Sequence, residues 1–406
     1  MTLFNSARTA IRNASIESPA VPLTSTTLLE LFGGPKVHAG VAVTEEASLG
    51  MPAVWRAVNL IAGTAGSLPL HPYREVGDVR VKVTTGRAAQ LLDEPHPDMT
   101  PFELWELMFG HLLLWGNAYF RVLRNRNGQV QELWLIHPGR VRAGRDSETG
   151  LKIYEVDRAP DPLFDEQILH IPGPGYDGVC GVSPIRAARQ GIGLALAAER
   201  YGAQLFGNGS LMSGILQTEQ RLNGEQADAL KARWKAKVGG LDKAHDVAVM
   251  DSGIKFQPLS IPPEDAQFIE SRKFQIDEVA RMFGIPPHML MQTEKSTSWG
   301  TGIEQQSLGF VKFTLRPWLT RVEQRLSRLL RDQAVYVRYS LEGLLRGDSA
   351  QRSAFYRELW GIGVYSTNDI RRLEDQGPVE GGDVRYRPLN MGVLGTEDSE
   401  EVPADV

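Results

Sequence analysis

The segment that most constrains this 406-residue chain begins at Ser183. Ser183 followed by Pro184 is a helix N-cap with proline in the first turn. The predicted helix runs to about Phe206 and carries Ala187, Ala188, Gly191, Gly193, Ala195, Ala197, Ala198, Gly202 and Ala203. Glycine in a helix interior costs about 1 kcal/mol relative to alanine. A helix that holds three of them must gain from the close approach of a neighbour. That neighbour is either the core of the same chain or another subunit, and these residues alone leave both open.

A second long helix is predicted from Glu264 to Phe283, with Ile269, Ile276, Val279, Ala280 and Phe283 on one side. Gly284, Pro286 and Pro287 stop it. Between the two helices lies a small unit. It reads as a strand at Gly214–Glu219 and a helix at Gly224–Val238, with Ala227, Leu230 and Trp234 on one face. Strands follow at Val247–Met250 and Ile254–Leu259, around the Asp251-Ser252-Gly253 turn, and Pro262-Pro263 closes the unit.

The part before Ser183 reads as α+β with an antiparallel sheet. A helix runs from Pro52 to about Ala65, burying Val54, Ala57, Val58 and Ile61. A hairpin joins Leu68–Arg74 to Val79–Val83 around Gly77-Asp78. Thr100 caps a helix with Pro101 at its first position and Phe102, Trp105, Met108, Phe109 and Leu112 on a wide apolar face. Strands are predicted at Ala118–Arg124, Val130–Ile136, Ile153–Val156 and Ile168–His170, the first two joined by a two-residue turn at Asn127-Gly128. After a Ser/Thr/Gly-rich loop, the longest helix runs from Ile303 to about Arg331. Val311, Leu315, Trp318, Val322, Leu326 and Leu329 repeat along it, and Pro317 should kink it. A strand at Val335–Tyr339 leads to helices at Asp348–Trp360 and Asn368–Asp375, the second opened by a capping-box-like Ser366 and Asp369. Residues 1–45, rich in Ser, Thr, Ala and Pro, read as a flexible arm, and 391–406 as an acidic disordered tail.

Charge and composition exclude several classes. The net charge of −5 equals the five acids of the tail, Glu397, Asp398, Glu400, Glu401 and Asp405, so the body is formally neutral. A neutral body argues against broad gripping of phosphates, which needs clustered Lys and Arg. No apolar run reaches the ~18 residues of a membrane span. The single cysteine, Cys180, forbids an intramolecular disulfide. The histidines lack metal-ligand spacing, so no metal and no cofactor is expected.

Catalytic signatures are equally thin. Ser252 and Lys255 have the S-x-x-K spacing of some acyl-transfer enzymes, but they straddle a predicted turn and lack the companion motifs. Gly173-Pro174-Gly175 lacks the ending of a phosphate-binding loop. No catalytic residue is expected. Residues 277–300 open like a helix-turn-helix, DEVARMFGIPPHML. The stretch where a recognition helix belongs contains Pro286, Pro287, Ser296, Thr297, Ser298 and Gly300, with Lys295 its only base. A sequence-specific DNA-binding regulator is therefore the weaker alternative.

Several segments together resemble the portal proteins of HK97-like tailed phages. They are AVWRAVNLIAGTAGSLPL at 53–70, GNAYFRVLRN at 116–125, GVSPI at 181–185 with FGNGS at 206–210, EDAQFIESRKFQIDEVARMFGIPPHML at 264–290, IEQQSLGFVKFTLRPWLTRVEQRL at 303–326 and YSTNDIRRLEDQGPVEGGD at 365–383. Their order and spacing cover roughly residues 50–390. The resemblance implies a ring, usually of twelve copies, around a channel for double-stranded DNA held without sequence specificity, and no enzymatic activity.

Carried onto this chain, 46–182 corresponds to the wing, 183–210 to the first stem helix and 211–260 to the clip. Residues 261–285 correspond to the second stem helix, 286–302 to the tunnel loop, 303–340 to the kinked helix and wing return, and 341–390 to a small crown. Arg272, Lys273 and Lys295 are the candidates for light contact with DNA, and Ser296, Thr297, Ser298 and Trp299 belong to the tunnel loop. Lys231, Arg233, Lys235 and Lys237 are the candidates for docking at the clip. The implied partners are further copies of the chain, the large terminase, head–tail connector or adaptor proteins, and the major capsid and scaffold proteins. The implied locations are the capsid portal vertex and, during assembly, the host cytoplasm.

Overall fold

The helical and strand patterns fold into two units, Met1–Ser340 and Leu341–Val406. The computed structural model describes residues 37–175, 177–207, 214–217, 223–238, 255–258, 265–292, 301–330, 334–341, 344, 349–374 and 376–386.

In the first unit, Thr44 caps α1 (Glu45–Leu49) by accepting from the Ala47 amide. Helix α2 (Pro52–Gly66) starts on proline and buries Val54, Ala57, Val58 and Ile61, as its periodicity requires. Strands β1 (Leu70–Val76) and β2 (Val79–Lys82) form the expected hairpin, with Val76 opposite Val79 and Gly77 at φ +61°. Helix α3 (Arg87–Asp93), which periodicity did not reveal, follows. Helix α4 (Pro101–Trp115) has a full capping box in which Thr100 and Glu103 satisfy each other's amides. Trp105, Met108, Phe109 and Leu112 are buried. Phe102 is exposed, a departure from the predicted apolar face. It sits in the first turn, before the helix reaches its packed length.

Strand β3 (Asn117–Arg124) is the centre of a sheet, flanked by β4 (Val130–Ile136) and β8 (Ile168–Pro172). A second sheet holds β5 (Val141–Arg145), β6 (Lys152–Val156) and β7 (Leu163–Phe164), all antiparallel. The segment Val-Arg-Ala-Gly-Arg has little strand propensity, and cross-strand pairing with β6 makes it a strand. The β3–β4 turn differs from the expected two-residue form. Asn125 Oδ1 accepts from the Asn127 and Gln129 amides, and the Gly128 amide closes back on the Asn125 carbonyl. This side-chain cap makes a longer loop with only Gly128 at positive φ.

The helix expected from Pro184 is split at Ala188 into α5 (Pro184–Ala187) and α6 (Arg189–Gly207). Strand β9 (Gly214–Gln217), helix α7 (Gly224–Val238) and strand β10 (Lys255–Pro258) form the insert, with β9 and β10 antiparallel. The expected strand at 247–250, Ser252 and the Pro262-Pro263 stop lie outside the described residues. Helix α8 (Asp265–Phe283) then returns.

The long helix is α9 (Thr301–Gly309), a π-helical segment at Phe310–Leu315, and α10 (Arg316–Leu329). The predicted effect of Pro317 takes this form. Proline has no amide to give the preceding turn, and the turn widens to the π pattern. Val311, Leu315, Val322 and Leu326 are buried as predicted, while Leu319 and Leu330 take the buried places expected for Trp318 and Leu329. Strand β11 (Tyr336–Tyr339) pairs with β1, Leu70 opposite Tyr339, across more than 260 residues of sequence.

The second unit contains α11 (Ser349–Gly361) and α12 (Thr367–Leu373). Ser366 and Asp369 form the expected capping box.

Candidate subunit-interface surface

The small-residue helix is anchored at its root by three glycine backbones. The Gly173 amide donates to the Gly116 carbonyl at 2.8 Å. A Cβ on Gly116 would overlap the Val182 carbonyl, and one on Gly181 would overlap the Gly116 carbonyl. Gly116 also has φ +75°, ending α4 in the left-handed region that glycine favours. Gly173-Pro174-Gly175 is therefore a packing element: a Cβ on Gly175 would meet the Cys180 carbonyl.

Beside these glycines, Asn117 bridges the sheet to the chain entering α5. Its Nδ2 donates to the Gly181 carbonyl at 2.8 Å, and its Oδ1 accepts from the Gly181 amide at 2.7 Å. His170 Nε2 lies 3.0 Å from the same oxygen. Tyr154 donates to Asp165 at 2.9 Å, with its hydroxyl 3.4 Å from His170 Nδ1. Ser183 donates to the Leu114 carbonyl and accepts from the Arg186 amide, so the N-cap is tied to α4. This buried polar network fixes how α5 leaves the sheet.

Its chemistry is structural. Burial, then the charges of Lys152 and Arg325, hold His170 well below the usual histidine range. Burial pushes the Cys180 thiol up to about 11, which leaves it protonated and a poor nucleophile near neutral pH.

His111 on α4 is likewise pulled down to about 3, by burial and then by His137. Both histidines are neutral in the fold and take up protons when the chain unfolds. Their contribution to stability is full above pH 6.5. It is lost as the pH falls through that value, at up to about 2.7 kcal/mol per pH unit for two protons. Half-exposed His71, lowered by burial and Lys82, adds a smaller share with the same sign. Chemical denaturation between pH 7 and 5 should show this slope. His170→Asn should reduce it by about one proton, and an unchanged slope would contradict the assignment.

The N-terminal approach forms a strap over α5 and α6. Val37 is buried against Gly193, where a Cβ would overlap its methyl. The His38 amide donates to Gln190 Oε1 at 3.3 Å, and Glu45 pairs with Arg186 at 3.1 Å. Residues 37–45, expected to belong to the arm, are packed against these helices, and 1–36 lie outside the described residues.

Helices α6 and α8 lie side by side. Met51, Ala188, Gly191, Ile192 and Ala195 line one wall of a groove, and Gln275, Glu278, Val279 and Met282 the other. A Cβ on Gly191 would come within 3.3 Å of Glu278 Oε2. Gly191, Gly193 and Ala195 pack within the chain. Leu194 and Tyr201 on α6, and Phe274 on α8, face outward and are more than half exposed. The sequence signal for these three was a large apolar or aromatic residue breaking the pattern of its helix.

The predicted contact residues are scattered. Arg272 is exposed on α8 and Lys273 half-exposed beside it. Lys231 and Arg233 are exposed on α7. Lys235 and Lys237 lie on the same helix, with side chains outside the described residues. Positions two apart on a helix do not share a face, so Lys231 and Arg233 lie on different faces of α7. Lys295, Ser296, Thr297, Ser298 and Trp299 lie outside the described residues.

After α8, Gly284 takes φ +67°, its carbonyl accepts from Thr314 in the π segment, and a single 3-10 turn spans Pro287–Leu290. Only this turn follows α8 through Gln292, and residues 293–300 lie outside the described residues, so nothing among the described residues supports the helix-turn-helix alternative.

The family model for the phage portal protein matches residues 52–375. The chain belongs to the phage portal protein family. A probable portal protein of Streptomyces phage phiC31 is 34% identical over 388 residues, covering 90% of this chain and 83% of that relative. The portal protein of Enterobacteria phage HK97 is 35% identical over 354 residues, covering 85% of this chain and 83% of the relative. Among solved structures, the neck of a native gene transfer agent particle with C12 symmetry aligns with a TM-score of 0.55 at 23% identity. That alignment covers 81% of this chain and 91% of the other. The portal fold, inferred above from segments of sequence, is the fold of this chain.

Proposed function

We propose that copies of this chain close into a portal ring, usually of twelve, at a capsid vertex. Double-stranded DNA enters and leaves through its channel without sequence-specific contact. The observation that carries this reading is the pairing of α6 with α8, flanking the β9–α7–β10 insert and presenting Leu194, Tyr201 and Phe274 outward. A head-to-tail ring needs two different apolar faces on every copy. A body without net charge suits a conduit, because tightly held phosphates would resist translocation.

In this reading residues 46–182 form the wing, α6 and α8 the stem, 211–260 the clip, 286–302 the tunnel loop and 341–390 the crown. The clip meets the large terminase and later the connector or adaptor proteins, and major capsid and scaffold proteins surround the ring. Assembly takes place in the host cytoplasm. ATP hydrolysis belongs to the terminase, and this chain does no chemistry. Arg272, Lys273 and Lys295 touch DNA lightly, and Lys231, Arg233, Lys235 and Lys237 serve docking at the clip.

Negative-stain microscopy with native mass measurement tests the reading. The expected particle is a ring of several hundred kilodaltons. A species that stays monomeric or dimeric under all assembly conditions, with capsid and scaffold proteins supplied, contradicts it. A serine-reactive probe labelling Ser252 would instead favour an acyl-transfer role.

A further inference from the structure

The Asn127-Gly128 turn carries a chemistry that a DNA conduit does not use. An asparagine followed by glycine can close on itself, because the following amide nitrogen reaches the asparagine Cγ and no Cβ shields it. Two such pairs lie among the described residues, Asn127-Gly128 and Asn223-Gly224. A third, at 208–209, lies outside them.

Exposure does not separate the two pairs. All four residues are exposed, and a Cβ on either glycine would meet nothing within 4 Å. Hydrogen bonding does separate them. Asn223 caps α7: its Oδ1 accepts from the Gln226 amide at 2.8 Å, its own amide donates to Gln226 Oε1 at 3.1 Å, and its carbonyl accepts from the Ala227 amide at 3.0 Å. The side chain that would react is occupied by the cap. Asn127 has no such hold. Its turn is pinned through neighbours, with Asn125 Oδ1 taking the Asn127 and Gln129 amides. Arg124 donates to the carbonyls of Gly128 at 2.8 Å and Glu166 at 3.3 Å. The Asn127 side-chain amide has no partner among the described residues. Only the Gly128 amide has to be released, from the Asn125 carbonyl at 3.0 Å.

We propose that Asn127 is a site of spontaneous deamidation, so that the tip of the β3–β4 hairpin changes its charge and its backbone length with age. The Gly128 nitrogen gives its proton to solvent base and bonds to Asn127 Cγ. The Cγ–Nδ2 bond breaks, ammonia leaves, and a succinimide ring remains. Water then opens the ring. Attack at Cγ gives aspartate in the ordinary linkage. Attack at the backbone carbonyl gives isoaspartate, which routes the chain through Cβ and Cγ and inserts one methylene between 127 and 128. Neither an oxidant nor an enzyme is needed. Either product adds a negative charge next to Arg126. The isoaspartate also shifts the Gly128 carbonyl away from Arg124, which loosens the tie between the hairpin and Glu166. The inference concerns a single chain and stands apart from the ring reading.

The test incubates the full chain in mildly alkaline buffer, native and in urea. Mass spectrometry follows the exchange of NH for O at each asparagine, and an isoaspartyl methyltransferase counts the isoaspartate. The ratio of the urea rate to the native rate gives the protection of each site. Protection at Asn223 should exceed that at Asn127 by about tenfold or more, since the cap must open first. Asn127→Gln should abolish conversion at that position, because glutamine must close a larger ring, and should leave melting unchanged, because nothing holds the side chain. Equal protection at the two sites, or an Asn127 that stays intact in the native chain while the chain in urea converts fully, overturns the proposal.

Discussion

Gly116→Ala is expected to destabilise the first unit by about 3 kcal/mol or more. The new methyl would lie inside contact distance of the Val182 carbonyl and 2.7 Å from the Ser183 amide nitrogen. Both are backbone atoms, so no rotamer change relieves the clash. A left-handed φ of +75° adds about 1 kcal/mol for any residue with a Cβ. The shift must pass into Gly181 and Ser183, and so into the Asn117 bridge and the N-cap of α5. The same substitution in the preceding helix should act oppositely. Gly110 lies within α4, and a methyl there would meet nothing within 4 Å. Gly110→Ala should therefore stabilise α4 by up to about 1 kcal/mol. Calorimetric melting of the two variants against the parent checks the pair. Equal melting of the Gly116→Ala variant and the parent would show that the junction of α4, β3 and α5 is not held as described.

Glu323→Ala should cost about 2–4 kcal/mol. Glu323 is buried in the seam between α10 and β11. It accepts from Arg338 at 2.9 Å, Arg316 at 3.3 Å and the Tyr339 amide at 2.9 Å. Both arginines are more than a third exposed and recover water when the carboxylate is lost, which limits the electrostatic part. The Tyr339 amide is buried and recovers nothing. Glu323→Gln keeps an acceptor for that amide and should lose about half as much. Urea denaturation monitored at constant m-value distinguishes the two. If alanine and glutamine cost the same, the amide contact contributes little, and the account of how β11 docks is wrong.

The sequence alone determined the local elements and the family. Thr100 with Pro101, Ser183 with Pro184, and Ser366 with Asp369 marked helix starts that appear where they were predicted, because a cap is satisfied within three or four residues of itself. Burial periodicity marked α2 and α10 for the same local reason. What depends on distant partners was not legible. Strand β5 exists because β6 pairs with it, β11 completes a sheet begun at Leu70, and the closeness of Gly116, Gly173 and Gly181 is a meeting of three separate segments. The small-residue helix is the clearest case. Its composition demanded close packing, but composition does not say against what. Only the tertiary structure assigned Gly191 to Glu278 and Gly193 to Val37 and left Leu194 and Tyr201 outside, because which face of a helix is buried depends on the neighbours that the fold brings to it.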